Sequence, residues 1–160
     1  MTSQGSIVVR GYRQADLDDL IAIFTAAVRG TAGRDYTRAQ ARAWAPDAPD
    51  RTAWAARRAS RPTYVAEIGC VAAGFSDLEP DGHIDMMFVH PHHQGRGVAA
   101  ALLRHVEAQA RMINLPRLVT EASRTARPFF ARHGFTVVAE QQVPLRGEVL
   151  TNFRMEKRLA

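Results

Sequence analysis

The sequence predicts a single mixed α/β domain, with a mostly antiparallel central sheet flanked by helices. Three observations predict it. The hydrophobic period switches from helical to alternating and back along the chain, no repeat or linker divides residues 1–160, and an apolar fraction of 46% suits one core. Residues 7–12 alternate weakly and read as an opening strand. Asp16 stands where a carboxylate caps a helix carrying Leu17, Leu20, Ile21 and Phe24 on one side and ending near Gly30. Two Ala- and Arg-rich helical patches, 37–45 and 50–61, are split by Pro46 and Pro49. The period then becomes two, so that 63–68, 71–78 and 83–89 read as strands of an antiparallel meander turning at Gly69-Cys70 and Asp81-Gly82. After Pro91 a helical stripe of Val98, Leu102, Val106, Ala110 and Ile113 appears, closed by Asn114 and Pro116. Residues 118–122 form the next strand, 126–133 a short helix ended by Gly134, and 135–143 with 150–156 a final strand pair around Arg146-Gly147.

Composition narrows the function classes. The formal charge is +5 and the basic set is almost wholly arginine, Lys157 being the only lysine. These arginines are spread along the chain. Arg57 and Arg58 sit among alanines at helical spacing, and no basic stretch with interleaved aromatics or helix-turn-helix pattern appears, so no nucleic-acid partner is expected. No apolar run reaches membrane-spanning length, and residues 1–6 lack the character of a secretion signal. The lone Cys70 allows neither an internal disulfide nor a cysteine-paired metal site. A cytoplasmic protein with no membrane partner is expected, as a monomer or a homodimer.

The segment Gln94-Gly95-Arg96-Gly97-Val98-Ala99 carries the most chemistry. It opens an amphipathic helix, where unpaired backbone N–H groups attract anions. Gly95 and Gly97 remove the Cβ atoms that would hold a phosphate away, and Arg96 adds charge. A Walker loop fails because no Gly-Lys-Ser/Thr follows. Gly95-x-Gly97-x-x-Ala100 superficially meets a dinucleotide fingerprint, with Glu121 near the spacing of its ribose-binding acid. However, residues 90–94 separate the glycines from the preceding strand, and that strand ends an antiparallel meander rather than opening a βαβ unit.

Gln-x-x-Gly-x-Ala after a strand ending Val89-x-Pro91 resembles the coenzyme A motif of the GNAT superfamily of N-acyltransferases. The likeness extends to 84–91, which is similar to that family's fourth strand, and to Ala122-Ser123 with Ala126-x-x-Phe129-Phe130-x-x-x-Gly134-Phe135, similar to its closing signature. It is weakest between residues 30 and 61. The resemblance implies fourth and fifth strands that run parallel and splay apart, with the pantetheine of acetyl-CoA in the opening and its pyrophosphate at Gln94 to Ala99. It further implies backbone contacts from Phe88 and Val89, one N–H there serving the oxyanion, and contact from Ser123. Where many members carry a tyrosine that protonates the departing thiolate, this chain has Phe130.

Transfer to an amine needs a neutral nucleophile, because an alkylammonium of pKa about 10.4 is almost fully protonated at neutral pH. A base is therefore expected, often acting through water. Asp85 and His83 are the leading candidates and Glu121, near the end of the partner strand, is the third. With side chains alternating along this strand, His83, Asp85, Met87 and Val89 are expected to share one face, opposite Ile84, Met86 and Phe88. Ordinary strand polar groups are the competing interpretation of all three. Leaving a thiol of pKa about 8.5 unprotonated at pH 7 costs roughly 2 kcal/mol, so Phe130 slows rather than forbids transfer, and water, Ser123 or Tyr36 are substitutes. Phe130 is also a candidate to line the pantetheine channel. Tyr36 and Trp44, with Trp54, lie where the family commonly covers its acceptor site, although plain helix packing explains them as well. His90, His92 and His93 lack acidic or cysteine companions, so no metal is expected. Cys70 in a hairpin turn is a passive thiol. The expected activity is acetyl transfer from acetyl-CoA to a primary amine of a small molecule or peptide, by direct attack in a ternary complex. The alternatives are a protein Nα- or lysine acetyltransferase, and an acetyl-CoA-binding module without turnover.

Overall fold

The computed structural model describes residues 5–31 and 34–159. The order is β1 (Ile7–Gly11), α1 (Leu17–Arg29), α2 (Arg38–Trp44), α3 (Arg51–Ala59), β2 (Thr63–Ile68), β3 (Val71–Asp77), β4 (His83–Ile84) and β5 (Met87–Val89). Then come α4 (Val98–Met112), β6 (Arg117–Ser123), α5 (Arg127–Arg132), β7 (Thr136–Leu145) and β8 (Glu148–Arg158). The mixed α/β class holds, with two four-stranded sheets of order β1-β2-β3-β5 and β4-β6-β8-β7. Every pairing is antiparallel except β4 with β6, which is parallel and pairs only His83 with Val119 and Ile84 with Thr120.

The stretch 83–89 is therefore not one strand. β4 belongs to the second sheet and β5 to the first, with Asp85 and Met86 between them. The cause lies on β3. Asp77 is fully buried, and its Oδ1 accepts the N–H of Asp85 at 2.9 Å and of Met86 at 3.0 Å. Two amides that a continuous ladder would use are thus held by one carboxylate oxygen, and the chain steps from one sheet to the other. The step also resets the alternation. Met87 and Val89 pack into the core against Val98 and Leu102, while His83, Asp85, Met86 and Phe88 share the opposite side, so the expected common face of His83, Asp85, Met87 and Val89 is corrected.

Asp77 is itself held by α3. Arg58, 1% exposed although it is one of an apparently solvated arginine pair, donates from Nη2 to Asp77 Oδ2 at 3.1 Å. Burial pulls the guanidinium's pKa down and pushes the carboxyl's up, so desolvation works against charge on both partners. The two backbone donors and the mutual attraction offset that cost.

Three smaller expectations change. Asp16 does not cap α1 with its side chain; its carboxylate accepts the Arg13 N–H at 2.7 Å and pairs with Arg10 at 2.8 Å, closing a 3-10 turn ahead of the helix. Ile113 lies past the end of α4 and is 59% exposed, whereas Val98, Leu102, Val106 and Ala110 are buried as their spacing predicts. The final hairpin is longer at its turn, reaching Leu145 and Glu148, because Tyr36 and Trp44 pack against Leu150 and Leu145.

Asp77→Ala should lose about 3–5 kcal/mol in urea unfolding, since it strands a buried guanidinium. The neutral pair Asp77→Asn with Arg58→Met should recover most of that loss, because the carboxamide oxygen still accepts both amides.

Candidate active site

The stepped strand opens a cleft between the sheets. One side is β5. His90 donates its N–H to Ala73 O at 2.8 Å, so by alternation Phe88 also turns its backbone toward β3. Of the two residues expected to offer backbone groups, Val89 thus faces its N–H to the cleft, and Phe88 contributes its ring. The floor is the start of α4. Gly97 is its N-cap at φ +83°, and no side chain caps the helix, so its first-turn N–H groups are free. Gly95 has φ +75°, and both glycines face open space. Their left-handed backbone, more than close approach, is what demands glycine here. Gln94 reaches back from Nε2 to Val89 O at 3.4 Å.

A cavity of about 600 Å³ runs along this cleft, lined by Phe88, Val89, Gln94, Gly95, Gly97, Val98 and Ala99 and by Ser123 and Phe130. Among the expected coenzyme residues, only Arg96 stays outside the lining; it is exposed on the loop. Phe130 is 4% exposed and sits edge-on to Phe129 and Phe135. A second cavity of about 720 Å³ lies on the other side of β5, and Tyr36, Trp44, His83, Asp85 and Glu121 all line it. The two cavities share Trp44, Phe88 and Ser123. A group lying along the first therefore ends where the second begins.

The three candidate bases differ in their surroundings. His83 is held between two carboxylates, its Nδ1 3.2 Å from Glu79 and its Nε2 hydrogen-bonded to Glu121. Burial, the largest influence, pushes its pKa down, but Glu121 and Glu79 together outweigh it and the net direction is up. His83 thus tends to keep its proton. Asp85 faces Arg61 at 3.6 Å and Arg57 at 4.0 Å. Tyr36 is buried and both of its polar functions are engaged, donating to Thr151 O at 2.7 Å and accepting the Arg124 N–H at 2.9 Å. Ser123 Oγ accepts the Ala126 N–H at 3.0 Å, leaving its hydroxyl proton at the junction of the cavities. No group of three or more His, Cys, Asp or Glu side chains arranged to hold a metal occurs among the described residues.

Several contributors carry no motif. Glu79 and Asp77 are isolated acids at a strand end, and Gln141, Val143 and Asn152 reach the second cavity from the β7–β8 hairpin, distant in sequence from α2 and α3. The one available signal was Asp77 at the end of the otherwise apolar run 71–78.

The charge network has a pH signature. A histidine whose folded pKa is raised above 6.5 contributes stability that is complete below that value and fades as pH rises through the folded one. His83→Gln should therefore lower the melting temperature most below about pH 6.5 and progressively less above it, as thermal scans across pH 5–9 would show.

The geometry agrees with similarities across the whole chain. A family model described as an acetyltransferase (GNAT) domain matches residues 33–159. The chain is 40% identical over 151 residues to the uncharacterized N-acetyltransferase YafP of Escherichia coli K12, spanning 94% of this chain and 95% of that protein. It is similar to a GCN5-related N-acetyltransferase from Rhodopseudomonas palustris, with a TM-score of 0.93 and 33% identity over 99% of each chain. It shares its fold with the PaiA N-acetyltransferase of Thermoplasma acidophilum, solved in complex with coenzyme A, with a TM-score of 0.76 and 18% identity over 96% of this chain and 99% of that one. A stepped strand opening a cleft onto an uncapped, glycine-marked helix, and these likenesses along nearly all its length, make the chain a member of the GNAT family of acetyltransferases.

Proposed function

We propose that this protein transfers the acetyl group of acetyl-CoA to a primary amine of a small molecule or peptide, by direct attack within a ternary complex. The observation that carries the reading is the meeting of the two cavities at Trp44, Phe88 and Ser123. The pyrophosphate would rest on the free first-turn amides of α4. The pantetheine arm would then run along β5, bringing the thioester to the junction.

An amine arriving from the second cavity meets carboxylates before it meets the thioester. Glu121 takes its proton, directly or through a water, and His83, hydrogen-bonded to it, fixes that carboxylate in place. Asp85 is tied to two arginines at the rim and serves the field of the entrance. The free amine forms its C–N bond at the carbonyl carbon and the oxyanion lies against the Val89 N–H; the nitrogen then loses its second proton through water to solvent as the oxyanion collapses and the C–S bond breaks. Ser123 supplies the proton to the sulfur and is reprotonated from solvent, the duty for which Phe130 has no donor.

Acetyl-CoA should raise the melting temperature, and a panel of primary amines should include some that accelerate thiol release. Stabilisation without acceleration by any amine would mark a binding module, and absence of stabilisation would remove the coenzyme site. Ser123→Ala should reduce kcat roughly tenfold at pH 7, with the deficit shrinking toward the thiol's reference pKa of about 8.5. Glu121→Gln should reduce kcat/KM by roughly 10²-fold or more while leaving the stabilisation by acetyl-CoA in place.

A further inference from the structure

The second cavity is built for one kind of amine, and this inference rests on the transferase reading above. Its inner wall is aromatic. Phe24 stands 5.2 Å from Trp54, 6.3 Å from Trp44 and 5.0 Å from Phe88, and Tyr36 stands 5.7 Å from Trp44, all edge-on. The hairpin β7–β8 closes the opposite wall with Val143, Leu145 and Leu150. Such a lining gains free energy from covering apolar surface, and a volume of about 720 Å³ accommodates a ring-bearing molecule.

The polar groups are distributed unevenly around this wall. Asp50, Asp85 and Glu121 bring three carboxylates, and Asn152 Oδ1 is buried with no donor among the described residues. All four are acceptors, suited to an incoming ammonium. Of the basic groups in the lining, Arg146 donates to Ala43 O at 2.6 Å, His83 is held by Glu79 and Glu121, and Arg57 stands half-exposed at the rim, 4.0 Å from Asp85. A carboxylate-bearing acceptor that reached past the rim would have to bury its charge beside Asp85 and Glu121. A polyamine would leave its outer charges against the aromatic wall and the hairpin valines and leucines, without carboxylates to match them.

We infer that the acceptor is a primary amine carried on an apolar, aromatic body and lacking a carboxylate. The body lies between Trp54 and the β7–β8 hairpin, and the amine points past Glu121 to the junction at Phe88.

Thiol release from acetyl-CoA tests this with ring-matched acceptors. 2-Phenylethylamine should show a kcat/KM at least tenfold above phenylalanine, which differs by its carboxylate, and above spermidine and an alanine-started peptide amide. Trp54→Ala should raise the KM for 2-phenylethylamine at least tenfold with the KM for acetyl-CoA within twofold. Because Trp54 also packs on Phe75, Val143→Asp on the exposed edge strand provides a second variant, with the same expected split. Equal or better use of phenylalanine, spermidine or the peptide overturns the inference while leaving the transferase reading intact, and so does an unchanged KM in both variants. Stabilisation by acetyl-CoA with no release to any amine would overturn the transferase reading and this inference with it.

Discussion

The carboxylate of Asp77 is the constraint on which the architecture turns. A strand of alternating residues has every reason to continue, because each further residue adds ladder bonds. Asp77 Oδ1 takes the N–H groups of Asp85 and Met86 out of that ladder and leaves the chain free to change sheets. The parallel contact of β4 with β6 ends after two residue pairs, and β5 continues on β3. The gap between β5 and β6 is the cleft. A buried charge is an expensive way to produce a gap, and Arg58 reaching in from α3 makes it sustainable.

That arrangement ties the two halves of the site together. α3 carries Arg58 on its buried side and Trp54 and Arg57 toward the second cavity, so the helix that anchors the step also walls that cavity. Immediately before the step, His83 binds Glu79 from the β3–β4 turn and Glu121 from β6, across the parallel pair. Charged groups are therefore concentrated where the sheets part, and apolar groups fill the interior on either side. A low-dielectric wall beside these carboxylates strengthens their interaction with any nearby charge.

Long periodic elements were legible from local pattern. α1 and α4 declared themselves by spacing, and the glycines before α4 by the backbone they require, since a left-handed N-cap at Gly97 is written into the residue type. The first cavity's helix start was legible too, because a run of uncapped amides needs only neighbouring residues. The second cavity is different in kind. It is assembled from α1, α2, α3, the β4–β5 step and the β7–β8 hairpin, and no spacing within one segment encodes that Trp54 and Val143 line one cavity. Asp16 and Arg58 misled for a related reason: a carboxylate before a helix and an arginine on a helix each have a bland local role, and here tertiary partners override it.

By itself the sequence determined the mixed α/β class, the order of its elements and the glycine-marked helix start, because each depends on the conformational preferences of residues adjacent along the chain. Tertiary structure alone decided that 83–89 divides between two sheets, that His83 sits between Glu79 and Glu121 with its pKa drawn upward, and that an aromatic wall shares a cavity with Glu121. Those outcomes depend on desolvation and on partners distant in sequence, and burial sets the energy of a charge only once the chain has folded around it.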